Sequence, residues 1–154
     1  IIMRYASLRD MDISNGRGIG VALFVQGCHF HCKNCFNQTT WNFQEGKPWT
    51  SEVENKFFYL ASRPYTERVS FLGGEPLADE NYSTILKLAK SIDNKKKWCY
   101  TGYTLEELKA NGKDEILKYI DVLVDGRYVD ELRNLNLEFR GSSNQRILYR
   151  GKDF

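Results

Sequence analysis

The sequence predicts an α/β fold, an incomplete and open parallel (β/α) barrel of about five or six strands. Three observations predict it. Short apolar runs bounded by glycine alternate with stretches of helical period, as successive strand–helix units require. A closed eight-stranded barrel takes about 250 residues, and the chain has only 154. The residues with chemical potential all follow apolar runs, as they must where the carboxyl ends of parallel strands share one edge and one site. Residues 1–154 are expected to form one domain, with an open side that admits a segment of a large partner.

The elements follow in order. Residues 3–13 alternate weakly in polarity and read as a first strand. Asn15-Gly16-Arg17-Gly18-Ile19-Gly20 has glycine at every second position. It lacks the Gly-Lys-Ser/Thr ending of a phosphate loop and the dinucleotide fingerprint, so it reads as a turn with exposed backbone. Gly20 to Gln26 is a buried strand, and residues 37–50 are irregular, with Trp41, Phe43 and Trp49 folded back on the core. Ser51 and Glu54 form a capping box for a helix with Val53, Phe57, Leu60 and Ala61 on one face, stopped by Pro64. Val69–Leu72 is the next strand. Asp79 caps a helix carrying Tyr82, Ile85, Leu86, Ala89 and Ile92, and Lys95-Lys96-Lys97 is its solvated end.

Lys97–Tyr100 is a third strand of the alternating series, followed by a Thr104/Glu107 capping box and a helix closed by Asn111-Gly112. A helical piece at 115–119 leads into the strand Ile120–Val124, which ends at Asp125-Gly126. Residues 128–135 read as helix, 137–140 as extended, Gly141–Gln145 as a turn, and Arg146–Tyr149 as a last strand.

The net charge of +2 is too small to argue for nucleic acid, and no apolar run approaches the length of a membrane span. The start, Ile1-Ile2-Met3-Arg4, has no signal-peptide pattern, and Met3 is a candidate initiator. Four cysteines without such a signal point to a reducing cytoplasm.

Three of those cysteines, Cys28, Cys32 and Cys35, fall directly after the buried strand with C-x3-C-x2-C spacing. Soft thiolates brought to one point suit an iron–sulfur cluster, and three ligands for four irons leave one iron open to a substrate. Zinc would need a fourth ligand from His29, His31 or Cys99, and its structural sites draw on separated ligand pairs rather than one triplet. A disulfide needs an oxidising compartment. Coincidental clustering of buried cysteines is the remaining alternative. Cys99, mid-strand, reads as a small buried apolar residue, and His29 and His31 as loop residues.

C-x3-C-x2-C after one strand and Gly73-Gly74-Glu75-Pro76 after the next resemble the radical S-adenosylmethionine enzymes. Asn15–Gly18, Cys35-Phe36-Asn37 with Trp41, and Gly141-Ser142-Ser143-Asn144-Gln145-Arg146 resemble the activating proteins of glycyl-radical enzymes. With the small size, the likeness is greatest to the family that activates anaerobic ribonucleoside-triphosphate reductase. It covers nearly the whole chain.

The resemblance implies a partial TIM-like barrel and a [4Fe-4S] cluster on Cys28, Cys32 and Cys35, with S-adenosylmethionine on the open iron. Asn34, Cys35, Phe36, Gly73, Gly74, Glu75, Asp125, Arg127, Ser143 and Asn144 would surround that cofactor. Asn34 departs from the aromatic residue that many relatives carry beside the third cysteine. No side chain is implied as catalytic, since the cofactors carry the chemistry: one-electron cleavage to a 5′-deoxyadenosyl radical that takes hydrogen from a glycine of the reductase. The implied partners are the large subunit of that reductase, through its glycyl-radical segment, and an electron donor such as reduced flavodoxin.

Bland alternatives stand beside these roles. Gly73-Gly74 reads equally as a strand-to-helix turn, Glu75 as a surface carboxylate, and Asp125 with Arg127 as a strand-end ion pair. If the glycines instead make room for the methionine moiety, a side chain at Gly74 is expected to block the cofactor and spare the iron. Rival functions are activation of another glycyl-radical enzyme such as pyruvate formate-lyase, small-molecule chemistry of the deazapurine carboxylate synthase type, and a zinc-binding adaptor.

Overall fold

The computed structural model describes residues 2–154. Strand β1 (Arg4–Asp12) pairs antiparallel with β2 (Gly20–Val25), and the two-residue strand β3 (Lys47–Pro48) pairs antiparallel with the other edge of β1. Helix α1 (Ser51–Ser62), β4 (Arg68–Gly73), α2 (Asp79–Ser91), β5 (Lys96–Tyr100), α3 (Leu105–Ala110), β6 (Val122–Asp125) and β7 (Arg146–Tyr149) follow. They build one sheet in the order β3-β1-β2-β4-β5-β6-β7.

The α/β class is as expected, with β2, β4, β5 and β6 mutually parallel. Two features differ. The sheet has seven strands, because the loop after β2 contributes β3, and the end strands do not pair, so no barrel closes. Strands β1 and β7, which flank the parallel set, run antiparallel to β2 and β6. Each joins its neighbour without a crossover helix, the arrangement a direct connection demands.

One face of the sheet is covered by the helices. Val21, Leu23, Val69, Phe71, Cys99 and Leu123 pack there against Phe57, Leu60, Ile85, Leu88 and Leu108. The opposite face carries Ala22, Phe24 and Leu72, then Trp98, Val122 and Val124 with Tyr100 and Phe139. Burial on both faces is why β2 reads as a continuous apolar run.

Several local expectations give way. The cap of α1 is Thr50, which accepts from the Val53 backbone, while Glu54 accepts from Trp49 Nε1. Ser51 is therefore inside the helix. Helix α2 has no side-chain cap, and Asp79, its first residue, pairs with Lys113 at 2.8 Å. The basic run is not simply solvated: Lys97 is buried and its Nζ donates to the Ala89 and Ile92 carbonyls at the end of α2. Lys95 likewise donates to Arg63 and Thr66. Residues 128–135 hold only a 3₁₀ turn at Asp130–Leu132, and 137–140 are turns rather than strand. The Thr104/Glu107 box is present as expected.

The glycine-rich turn is exposed only in part, at Arg17 and Gly18, while Gly16 and Gly20 are buried. It wraps Arg68, which lies fully buried at the start of β4 and donates to Asp12 Oδ2 at 2.7 Å, the Asp12 carbonyl and Ser70 Oγ. A Cβ on Gly16 (φ +143°) or on Gly20 would come within 2.6 Å of the guanidinium. Burial pushes the Asp12 carboxyl up, but Arg68 and Asn15 outweigh it and hold the group below its ordinary value of 3.8. The pair is thus fully stabilising above the unfolded value and loses its contribution as pH falls through the depressed folded value. Urea unfolding is expected to show that acid loss. Asp12→Asn should flatten it and cost about 3 kcal/mol at neutral pH, the lower end for a broken buried pair. An unchanged acid limb in the Asn variant would refute the assignment.

Candidate functional site

The four parallel strands deliver their following loops to one edge. The cysteine loop follows β2, Gly73-Gly74-Glu75 ends β4, Tyr100-Thr101-Gly102 ends β5, and Asp125-Gly126-Arg127 ends β6. They enclose a cleft of about 540 Å³ whose wall includes Cys28, Cys32, Cys35, Phe36, Gly73, Gly74, Glu75 and Arg127. That volume lies in the range of small-molecule sites, roughly 300–1,000 Å³.

The cysteine loop is built by backbone. Gly27 N donates to the Thr40 carbonyl at 2.6 Å, Cys28 N to Trp41 at 3.0 Å, and Cys35 N to Cys32 at 3.1 Å. His31 and Asn34 take left-handed conformations (φ +49° and +57°), which turn the chain twice within the triplet. The glycine loop is stitched to its base: Gly74 N donates to Val25 O at 3.0 Å and Glu75 N to Gly27 O at 2.7 Å. A Cβ on Gly74 would stand 2.4 Å from the Gly27 carbonyl oxygen and 2.9 Å from that of Thr40. The absent side chain makes room for the neighbouring loop. Crowding there bears on Gly27, the residue before Cys28, so a side chain at Gly74 is expected to disturb the cysteine loop as well as the cofactor space.

Burial pushes the Cys28 thiol up to about 11, with the nearby Glu75 charge adding to the effect, and burial also raises Cys32. Among the described residues no three Cys, His, Asp or Glu side chains form a single-ion site. None of the zinc candidates joins the triplet. The His29 ring is held by Glu80 at 2.8 Å and packs on Phe43, His31 stacks on Trp41 at 4.5 Å, and Cys99 is buried on the helix-covered face.

Glu75 is not a surface carboxylate. It is 2% exposed and accepts from Thr101 Oγ1 and Gly102 N at 2.7 Å and from Leu77 N at 2.9 Å. Burial raises its pKa against the pull of those donors. Asp125 and Arg127 do not pair with each other. Asp125 accepts from Leu105 N and Arg146, whereas Arg127 is gripped by both oxygens of Glu107 at 3.0 Å and lies 4.4 Å over the Phe30 ring. Arg127, with the capping-box N–H, draws the Glu107 carboxyl down to about 2.

Asn34, Asp125, Ser143 and Asn144 lie outside the cleft wall, Asp125 being buried behind it. Asn34 donates to Asp130, Ser143 is exposed, and Asn144 donates to the Arg127 carbonyl. Their segment reaches the cleft through Gly141 and Gln145 instead.

Sequence reasoning missed Gln26 and Asn81, both buried. Gln26 Nε2 holds the Thr39 and Asn42 carbonyls beyond the cysteine triplet, and Asn81 Nδ2 spans Gln26 O and Glu75 O, tying the start of the cysteine loop to the glycine loop. The signals were a polar residue closing the apolar run of β2 for Gln26 and a polar residue on an otherwise apolar helix face for Asn81.

The donor set fits an iron–sulfur cluster: three thiols on one loop, facing one cleft. The cleft also fits a polar organic ligand. Tyr100 Oη and Trp41 Nε1 are buried at its wall and have no hydrogen-bond partner among the described residues, which calls for a bound group. Among the described residues no helix is long and apolar enough to cross a membrane.

Comparison with known proteins bears on the same residues. A family model described as a 4Fe-4S single cluster domain matches residues 14–148. A protein of Vibrio cholerae serotype O1 named anaerobic ribonucleoside-triphosphate reductase-activating protein is 39% identical over 151 residues, covering 94% of this chain and 97% of its own. Proteins of the same name from Escherichia coli K12 and Enterobacteria phage T4 are 38% and 36% identical over 149 residues. They cover 93% and 94% of this chain and 96% and 93% of their own lengths.

Proposed function

The chain belongs to the family of anaerobic ribonucleoside-triphosphate reductase-activating proteins, and from that membership we propose that it activates such a reductase. Cys28, Cys32 and Cys35 would hold a [4Fe-4S] cluster, and the rest of the cleft would take S-adenosylmethionine. The target is the glycyl-radical segment of the reductase large subunit, and the electron comes from a donor such as reduced flavodoxin. When bound and reduced, the cluster would supply the one-electron cleavage of S-adenosylmethionine that hydrogen removal from a glycine requires.

The protein's own residues bind, orient and exclude water. The Gly27–Gly74 backbone contacts fix the cysteine loop against β4. Arg127, aimed by Glu107, offers a cation to the carboxylate of the ligand. Tyr100 Oη and Trp41 Nε1 offer donors, and Phe24, Leu72, Val124 and Phe139 give the cleft an apolar wall that keeps water from a reactive species. Asp125, between the wall residues Val124 and Gly126, is held in place by Leu105 N and Arg146. The observation that carries the proposal is the joining of the cysteine and glycine loops around one cleft at the carboxyl ends of parallel strands.

Reconstituted without oxygen and supplied with dithionite, S-adenosylmethionine and the reductase large subunit, the protein is expected to yield a glycyl-radical doublet on the reductase by electron paramagnetic resonance. 5′-Deoxyadenosine should form alongside. S-adenosylmethionine cleavage with a radical-free reductase would overturn the partner, and absence of cleavage would overturn the chemistry.

A further inference from the structure

The connection from β6 to β7, residues 126–145, is long for its content: one 3₁₀ turn and a single bridge between Arg133 and Ser142. Its inner side forms part of the cleft wall through Tyr128, Phe139 and Gly141. Its outer side exposes Leu132 by 44% and Leu135 by 79%. Phe36, 59% exposed and itself on the cleft wall, packs 5.0 Å from Tyr128 and crowds Gly141. Asn134 N donates to Gly141 O, which keeps the Leu135 turn on that same rim. The flanking charges nearly cancel, with Asp130, Glu131 and Glu138 against Arg133 and Arg140, so the rim has no strong attraction for a polyanion. Apolar side chains on a loop bordering a site mark an interaction surface.

We propose that the rim formed by Phe36, Leu132 and Leu135 is the docking surface for the polypeptide of the reductase that carries the target glycine. The proposal rests on the activating role above. The occupant follows from continuity with the cleft. A target that is a backbone glycine must enter as an extended segment, because about 540 Å³ shared with a cofactor leaves no room for a folded one. The residues flanking that glycine then cross the rim, and with the charges balanced the apolar side chains supply the grip.

The test is anaerobic binding to the immobilised reductase large subunit. The double variant Leu132→Ser/Leu135→Asp is expected to bind at least about ten-fold more weakly than wild type. Its partner-free, dithionite-driven cleavage of S-adenosylmethionine should equal that of wild type, which shows that the cleft is intact. Tyr59→Asp, at a position 63% exposed on α1, should keep wild-type affinity. Wild-type affinity in the double variant overturns the proposal, and so does an equal loss in the Tyr59 variant. A wild-type dimer that the double variant converts to monomer overturns it too, because a second copy then covers the rim. A wild-type protein that does not bind the reductase removes the activating role itself, an outcome distinct from a variant that binds normally.

Discussion

Cys28→Ala, Cys32→Ala and Cys35→Ala proteins are each expected to come out of anaerobic reconstitution without a stable cluster, while Cys99→Ala takes up about four irons per chain as the wild type does. The geometry separates the two groups of thiols. Cys28, Cys32 and Cys35 are partly exposed on one loop and line one cleft. Cys99 is fully buried in β5, between Trp98 and Tyr100, whose rings lie on the face opposite the helices. Alternation along a strand places its sulfur on the helix-covered face, among Val69, Phe71 and Leu123. Replacing it by alanine removes one buried atom, at a stability cost of roughly 1 kcal/mol, and touches no cleft residue. Iron and sulfide analysis with the visible absorption of the cluster reads the result. Loss of the cluster in the Cys99 variant, or its retention in any one of the other three, would break the ligand assignment.

What the sequence made legible is what depends on local chemistry or on topology. The Thr104/Glu107 box needs only two residues three apart, and it forms as read. The shared edge of the cysteine, glycine, Thr101 and Asp125 loops follows from alternating strands and helices, and the parallel register of β2, β4, β5 and β6 delivers it. What stayed hidden depends on partners distant along the chain. Lys97 reads as a solvated cation and Arg68 draws no reading at all, because nothing local shows that the end of α2 or Asp12 will receive them. Arg127 reads as the natural partner of Asp125 two residues away. The capping box fixes Glu107 where it takes both guanidinium nitrogens, and Arg146 on β7 takes Asp125. The direction of β1 and β7 was hidden for the same reason: it is set by the paths of the 13–19 and 126–145 connections, which carry no periodic pattern.

Gly74→Val is expected to lose the cluster together with S-adenosylmethionine binding, because Gly74 serves the cysteine loop before it serves any ligand. The backbone positions of the two loops are mutually fixed by Gly74 N to Val25 O and Glu75 N to Gly27 O. An alanine Cβ already falls 2.4 Å from the Gly27 carbonyl oxygen, and the obstruction is backbone, so no side-chain rotation relieves it. Gly27 cannot retreat freely. It sits at φ +102°, its own Cβ position is filled by the Phe43 ring, and its N–H is bonded to Thr40. The displacement therefore passes to Cys28, the next residue, and takes one thiol out of reach of the other two. Iron content and calorimetric affinity should fall together in the valine variant, and the alanine variant should show the same pattern in weaker form. An outcome in which iron stays at wild-type level while affinity collapses would instead place the missing Cβ against the ligand, and would show that the loop yields more easily than its bonds suggest.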